Sequence, residues 1–172
     1  NYKHICYLGS KTERYFSDKR AQAFRDVMIQ HGYTIGDHDM FDTTITEEGV
    51  REAFDYFCEG SDKLPEAVVC YNDKMALLFT VIAIRKGYRI PEDIALVGCD
   101  ALPEGQNMTA PLTTVSFPTY QLGAESVKQL FKLMHNTPIP ECTNVFAEPV
   151  LGGSCGCRTT SHSNYILYGH QL

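Results

Sequence analysis

The sequence predicts an α/β fold: a doubly wound parallel sheet in three layers, with helices on both faces of the strands. Short apolar runs without polar alternation, typical of strands buried on both faces, are separated by single segments with helical periodicity. Parallel strands need such a crossover helix between them. The chain has 172 residues, of which 44% are hydrophobic and 21% charged, and this suits one domain with an ordinary buried core.

The first elements follow from local patterns. The apolar run 4–9 stops at a glycine and predicts a strand, and residues 17–31 carry apolar side chains at helical spacing before the glycine at position 32. Residues 33–41 form a weaker strand candidate. Thr46 precedes two glutamates, which favour the positive end of a helix dipole, and apolar residues then recur on one helical face. The run 66–71 predicts a buried strand.

The middle of the chain predicts a helix and a further strand. Asn72 and Asp73 are typical helix-capping residues, and the markedly apolar stretch 75–84 follows them. Because this stretch is apolar on nearly all sides, we expect the helix to be buried on two sides, for instance against a partner subunit. The run 94–98 is continuous in apolar residues and predicts another strand of the parallel sheet.

The last third predicts an extended run at 112–117, a helix at 120–135 and a strand at 144–151. Residues 158–172 lose the pattern and are interpreted as a tail or a linker. The apolar side chains of the helix recur at helical spacing and are expected to face inward; they are Leu122, Val127, Leu130, Phe131 and Met134.

The charge distribution disfavours two classes of partner. The net charge is −6, and the basic residues are interleaved with acidic ones, whereas a nucleic-acid-binding face concentrates basic residues. No run approaches the roughly 18 apolar residues that indicate a membrane-spanning helix. We therefore expect neither direct nucleic-acid binding nor a membrane partner.

The seven cysteines are odd in number, and three of them lie in or beside apolar runs, where a thiol acts as a small hydrophobic group. This usage favours a reducing cytoplasm over a disulfide framework. Cys155 and Cys157 offer only two metal ligands, so we predict no metal and no cofactor. Catalytic motifs are lacking, and Asp73 and Asp100, which lie at expected strand ends, give no reason for one raised pKa. The sequence therefore predicts no enzyme.

Polar residues follow three predicted strands. Asn72 and Asp73 come after one strand, Asp100 after another, and Arg20 lies on the helix that follows the first. Ligands of open parallel sheets bind beyond the carboxyl ends of the strands, and these side chains suit the paired hydroxyls of a sugar. The alternatives are a helix cap for the first two, a solvent-facing arginine and a turn aspartate.

Five segments in order resemble the effector-binding domains of the lactose/galactose-repressor family of transcriptional regulators. The segments are Lys3-His-Ile5 with Gly9, Asn72-Asp-Lys-Met-Ala76, Gly87 to Asp100 (Gly-Tyr-Arg-Ile-Pro-Glu-Asp-Ile-Ala-Leu-Val-Gly-Cys-Asp), Pro111-Leu-Thr-Thr-Val115 and Gly153-Ser-Cys155. The resemblance implies a Rossmann-like lobe of a type I periplasmic-binding-protein-like fold.

The same resemblance implies which residues bind the effector. Arg20, Asn72 and Asp100 match effector contacts, and Asp73 matches the helix cap beside them. Two further ligand-binding positions depart from the family pattern. Thr44 stands where the family often has an aromatic residue, and Phe117 stands where a glutamine is common.

The resemblance also implies a division of the chain. Residues 1–157 match the carboxyl-terminal lobe, and the helix within 118–140 would normally pack on an amino-terminal lobe that this chain lacks. We expect a small-molecule effector, a carbohydrate in particular, a homodimer, and DNA binding only through a module outside the chain. The alternatives are a sensor domain joined to another output module, such as a diguanylate cyclase or a kinase, and a sugar-binding protein of a transporter.

Overall fold

A four-stranded parallel sheet lies at the centre of the molecule, as a computed structural model that describes residues 2–12, 14–58 and 64–157 shows. The strand order is β2-β1-β3-β4, so that the first two crossovers run in opposite directions across the sheet. The strands are β1 (Ile5–Ser10), β2 (Met40–Thr43), β3 (Ala67–Cys70) and β4 (Ala95–Val97).

Five helices and a second, two-stranded antiparallel sheet complete the described part of the chain. The small sheet consists of β5 (Thr114–Ser116) and β6 (Glu148–Val150). The helices are α1 (Arg14–Gln30), α2 (Glu47–Cys58), α3 (Asp73–Arg85), α4 (Pro103–Gln106) and α5 (Thr119–Met134), and a 3-10 turn spans Asp37–Asp39.

The predicted three-layer α/β/α architecture is confirmed. Right-handed crossovers place α1 on one face of the sheet and α2 and α3 on the other. Side chains of β1 alternate accordingly: the Tyr7 ring lies 5.3 Å from the Phe24 ring of α1, whereas Cys6 and Leu8 point to the face of α2 and α3. That second face holds the main core, because both helices pack there against the strands and each other.

The core is closed by aromatic contacts from α2 to α3 and to the segment that follows α3. The Phe54 ring lies 5.1 Å from Phe79 and 5.6 Å from Tyr88. The buried cluster comprises Cys6, Leu8, Val50, Ala53, Phe54, Phe57, Val68, Cys70, Tyr71, Met75, Ala76, Phe79, Ile82, Ala83, Ile94, Leu96 and Leu112.

The segment that precedes β5 extends the sheet beyond β4. Gly98 N donates to Thr113 O at 2.8 Å, in a short parallel pairing next to Val97. Ser154, which has no exposed surface, ties this segment down, because its Oγ donates to Leu96 O at 2.7 Å and accepts from Thr113 N at 2.8 Å. Ser154 of the Gly-Ser-Cys segment thus links β4 to the segment that precedes β5 by hydrogen bonds.

Three predicted boundaries differ from the structure. Helix α1 begins at Arg14 and not at position 17, and β6 is shorter than the predicted run 144–151. The strand predicted at 33–41 is wrong in most of its length, because β2 starts only at position 40 and a 3-10 turn precedes it. The Asp39 carboxylate accepts a hydrogen bond from Gly36 N at 2.7 Å, and this local bond favours a turn over a strand.

The inward orientation predicted for the apolar side chains of α5 is wrong within this chain. No residue of α5 is buried, and Phe131 is 56% exposed. On α3, Ile84 is 62% exposed, so one side of that helix is also uncovered. Among the described residues, no helix combines the length and the apolar character that a membrane crossing requires. The predicted tail, 158–172, lies outside the described residues.

Candidate functional site

Arg20 is the centre of a polar site at the carboxyl edge of the sheet. Its Nη1 donates to the carbonyl oxygen of Tyr71, directly after β3, at 2.5 Å, and its Nη2 lies 3.7 Å from Asp100 Oδ1, in the loop after β4. The guanidinium carbon lies 4.5 Å from the Tyr71 ring centre and 5.9 Å from that of Phe117, which follows β5. We call Arg20, Tyr71, Asp100 and Phe117 the arginine clamp.

The structure thus brings together three of the predicted site residues from separate elements. The side chains of Arg20 and Asp100 remain 29% and 35% exposed, and Phe117 is 39% exposed. A contact of 3.7 Å is longer than the roughly 2.7–2.9 Å of a tight charge-assisted hydrogen bond. The two charges therefore hold each other loosely and present both a donor and an acceptor to solvent.

The loop after β4 adopts an unusual conformation to present Asp100. The φ angle of Asp100 is 120°, and that of Ala101 is 55°. Residues other than glycine rarely adopt positive φ angles. Asp100 N donates to Val115 O at 2.9 Å, and this bond fixes the loop against the segment that carries β5. The sheet extension beyond β4 is therefore what positions the carboxylate.

Asn72 is both a predicted site residue and the actual cap of α3. Its Oδ1 accepts from Met75 N at 3.0 Å, as an N-cap side chain should. The cap uses the amide oxygen only, and the NH2 group of the same amide takes no part in it. Asn72 is half-buried and follows Tyr71 in the chain, so it borders the arginine clamp.

The expected capping role of Asp73 is wrong, because Asn72 caps the helix. Asp73 has no exposed surface. Its Oδ1 accepts from Thr114 Oγ1 at 2.5 Å and its Oδ2 from Leu102 N at 2.7 Å. Asp73 therefore lies behind the arginine clamp. Its two hydrogen bonds join the start of α3 to the loop after β4 and to β5.

The expectation that neither aspartate has a reason for a raised pKa is also wrong. Burial raises the pKa of Asp73 above its ordinary value, although hydrogen bonds from Thr114, Leu102 and neighbouring backbone groups oppose the shift. Both carboxylate oxygens are occupied within the protein, so this shift accompanies a structural role.

Thr44 follows β2 at the same edge of the sheet and is exposed. Its Oγ1 lies 3.0 Å from Thr46 Oγ1, a contact within its own loop. The residue that sequence reasoning missed is Tyr71, which we expected only as the end of a strand. Its carbonyl group and its ring both hold Arg20, and no sequence pattern signals such a backbone acceptor.

Comparison with known proteins gives consistent results. A family described as "Periplasmic binding protein-like domain" matches residues 1–155. The transcriptional regulator GalR of Escherichia coli is 29% identical over 143 residues, which are 83% of this chain and 41% of GalR. The chain spans less than half the length of the curated relatives that it matches.

Solved structures share the fold. The transcriptional repressor ascG of Escherichia coli aligns with a TM-score of 0.81 at 18% identity, over 90% of this chain and 56% of that one. A complex of the transcriptional regulator CelR with cellobiose aligns with a TM-score of 0.77 at 21% identity, over 90% of this chain and 47% of the other. The resemblance that the five sequence segments indicated is confirmed by these matches.

Proposed function

The chain belongs to the periplasmic binding protein-like domain family, and from this we propose that it is the carboxyl-terminal lobe of the effector-binding domain of a transcriptional regulator of the lactose/galactose-repressor type. The relatives that it matches are transcriptional regulators, and the match covers their effector-binding part. We further propose that the protein is cytoplasmic and performs no catalysis. It contacts DNA only through a module outside this chain.

The observation that carries the proposal is the loose pair of Arg20 and Asp100 at the carboxyl edge of a parallel sheet, the edge at which such sheets bind ligands. Arginine supplies a planar fork of donors and aspartate supplies acceptors. Vicinal hydroxyl groups of a sugar both donate and accept, so one sugar edge satisfies both partners. The exposed ring of Phe117 offers an apolar face for the C–H side of the same molecule.

We therefore propose a carbohydrate effector, held by Arg20, Asn72 and Asp100, with Phe117 and Thr44 at the margin of the site and Asp73 as a positioning residue behind it. CelR, which shares the fold, has been solved in complex with cellobiose, and this supports a carbohydrate as the class of ligand. The exposed residues Val81 and Ile84 of α3 support a homodimer, because an apolar helix side needs a cover.

The test is calorimetry on the full-length parent protein with a panel of mono- and disaccharides. Each of Arg20→Ala and Asp100→Ala removes a hydrogen bond to a charged group, which is worth about 1.5–3 kcal/mol. We expect the affinity for the bound sugar to fall by roughly 10- to 150-fold in each variant.

Two variants serve as controls. Lys19→Ala removes the exposed cation next to Arg20 on the same helix, and Glu104→Gln removes an exposed charge just after the Asp100 loop. Both should bind as the unchanged protein does. Equal affinity in all four variants would refute the site, and tight binding of a purely apolar compound in place of sugars would refute the ligand class.

A further inference from the structure

A second cluster of chemically active side chains lies at the opposite, amino-terminal edge of the sheet. His4 immediately precedes β1, Cys6 is the second residue of β1, and Asp39 ends the 3-10 turn before β2. His4 Nε2 lies 3.1 Å from Asp39 Oδ1 and 3.6 Å from Cys6 Sγ. All three ligand atoms lie within 4.8 Å of one another. Nothing in the effector site uses this cluster.

The distances match the edges of a tetrahedral metal site. Zinc bonds of about 2.0–2.3 Å to nitrogen, oxygen and sulfur, arranged tetrahedrally, separate the ligand atoms by roughly 3.3–3.6 Å. The nitrogen–oxygen and nitrogen–sulfur distances of 3.1 Å and 3.6 Å are close to these values. A cation between the three atoms would therefore need only small side-chain movements.

Both polar ligands also have the outer contacts that metal ligands need. The second ring nitrogen of His4, Nδ1, lies 3.4 Å from the carbonyl oxygen of Leu64, and a proton on Nδ1 leaves the lone pair of Nε2 directed at the cluster. The second carboxylate oxygen of Asp39 accepts from Gly36 N at 2.7 Å. Each ligand is thus oriented from behind by backbone, in the manner typical of metal centres.

The sulfur of the cluster is shielded from solvent. Cys6 is 1% exposed, and burial together with the charges of Asp39 and Cys58 raises the pKa of its thiol to about 12. The three ligand atoms of the cluster are thus one shielded sulfur, one imidazole nitrogen and one carboxylate oxygen. A sulfur and an imidazole next to a carboxylate form a donor set that prefers zinc to magnesium or calcium.

We propose that His4, Cys6 and Asp39 form a structural site for a zinc-like divalent cation, separate from the effector site. Binding forms one bond each from the metal to Nε2, Sγ and Oδ1. The thiol proton of Cys6 is released to solvent, and no change of oxidation state takes place. The charges of the thiolate and the carboxylate then balance that of the cation. The metal would fasten the start of β1 to the turn before β2.

The competing interpretation is a purely structural contact, in which a protonated His4 bonds both Leu64 and Asp39 without a metal. The two interpretations differ in their response to Co²⁺. A thiolate bound to Co²⁺ produces a charge-transfer absorption band in the near ultraviolet, and a histidine–aspartate ion pair does not.

The experiment is a Co²⁺ titration of the 172-residue chain, followed by competition with Zn²⁺. We expect one Co²⁺ per chain, the thiolate band, and loss of the band when Zn²⁺ is added. Cys6→Ser should abolish the band, and His4→Gln and Asp39→Asn should weaken binding by about 100-fold or more, since even loss of an outer contact costs 10- to 100-fold.

Matched controls separate this site from other thiols. Cys70→Ser alters an equally buried cysteine on the neighbouring strand, paired with Leu8 and outside the cluster. The double variant Cys155→Ser/Cys157→Ser removes the other close pair of thiols. Both should keep the band. Cys6→Ser risks unfolding, so the melting temperature of His4→Gln, which alters a half-exposed residue, is measured as well. Zn²⁺ should raise the melting temperature of His4→Gln far less than that of Cys70→Ser.

Either of two results would overturn the proposal. One is the absence of saturable Co²⁺ binding to the folded chain. The other is a band that survives in Cys6→Ser and disappears in the double variant, which would place the metal at Cys155 and Cys157.

Discussion

Asp100 is the residue at which backbone strain and proposed ligand binding meet. Its φ of 120° costs of order 1–3 kcal/mol for a residue with a side chain, whereas glycine adopts it freely. Its contact with Arg20 is long and solvent-exposed, so that contact contributes about 1 kcal/mol or less. The contact with Arg20 alone therefore does not offset the cost of the strain.

The prediction compares Asp100→Gly with Asp100→Ala in urea unfolding. Both variants lose the carboxylate that we propose as a ligand of the sugar. Only glycine relieves the strain, so Asp100→Gly should be about 1 kcal/mol more stable than Asp100→Ala after the greater entropy of unfolded glycine is subtracted. Equal stabilities would mean that the loop is unstrained.

At the scale of single residues, the sequence predicts chemistry better than geometry. Asn72 and Asp100 are predicted from their residue types after strands, and Arg20 from its place on the first helix together with the family resemblance. The structure places all three along one edge of the sheet. The burial of Asp73 could not be predicted from the sequence, because its partners Leu102 and Thr114 lie 29 and 41 positions away in the chain. The His4 cluster was missed likewise, because its third ligand lies 35 positions away.

At the scale of elements, helical periodicity locates a helix and its apolar face without identifying what covers that face. The apolar face of α2 is covered by the sheet and by α3, whereas that of α5 is exposed. Both faces look alike in sequence. The strand predicted at 33–41 failed for a related reason, because a local hydrogen bond from Gly36 N to the Asp39 carboxylate favours a turn there.

Two phenylalanines test this difference between α2 and α5 in the 172-residue chain. Phe54 has no exposed surface, so Phe54→Ala should lower the free energy of unfolding by about 3–5 kcal/mol through lost contacts and a cavity. Phe131 is 56% exposed, so Phe131→Ala should change it by no more than about 0.5 kcal/mol.

Chemical denaturation of both variants measures the two effects. A Phe131→Ala cost close to that of Phe54→Ala would contradict the exposed position of α5. If the proposed amino-terminal lobe accompanies this chain in the full-length protein, the same substitution should cost clearly more there, because the lobe would cover α5.

At the scale of the whole molecule, the sheet separates two sites by the length of its strands. The arginine clamp lies at the carboxyl edge and the His4 cluster at the amino edge. The six residues of β1 span about 17 Å, at roughly 3.3 Å per residue. Sites this far apart with no shared side chain are expected to act independently.

The prediction is that His4→Gln and Asp100→Ala are additive in the free energy of unfolding. Their double variant should differ from the sum of the single variants by no more than about 0.5 kcal/mol. The matched comparison is His4→Gln with Asp39→Asn, whose atoms lie 3.1 Å apart and which should deviate from additivity by about 0.5–3 kcal/mol. Coupling of similar size in both pairs would show that the sheet transmits changes between its edges.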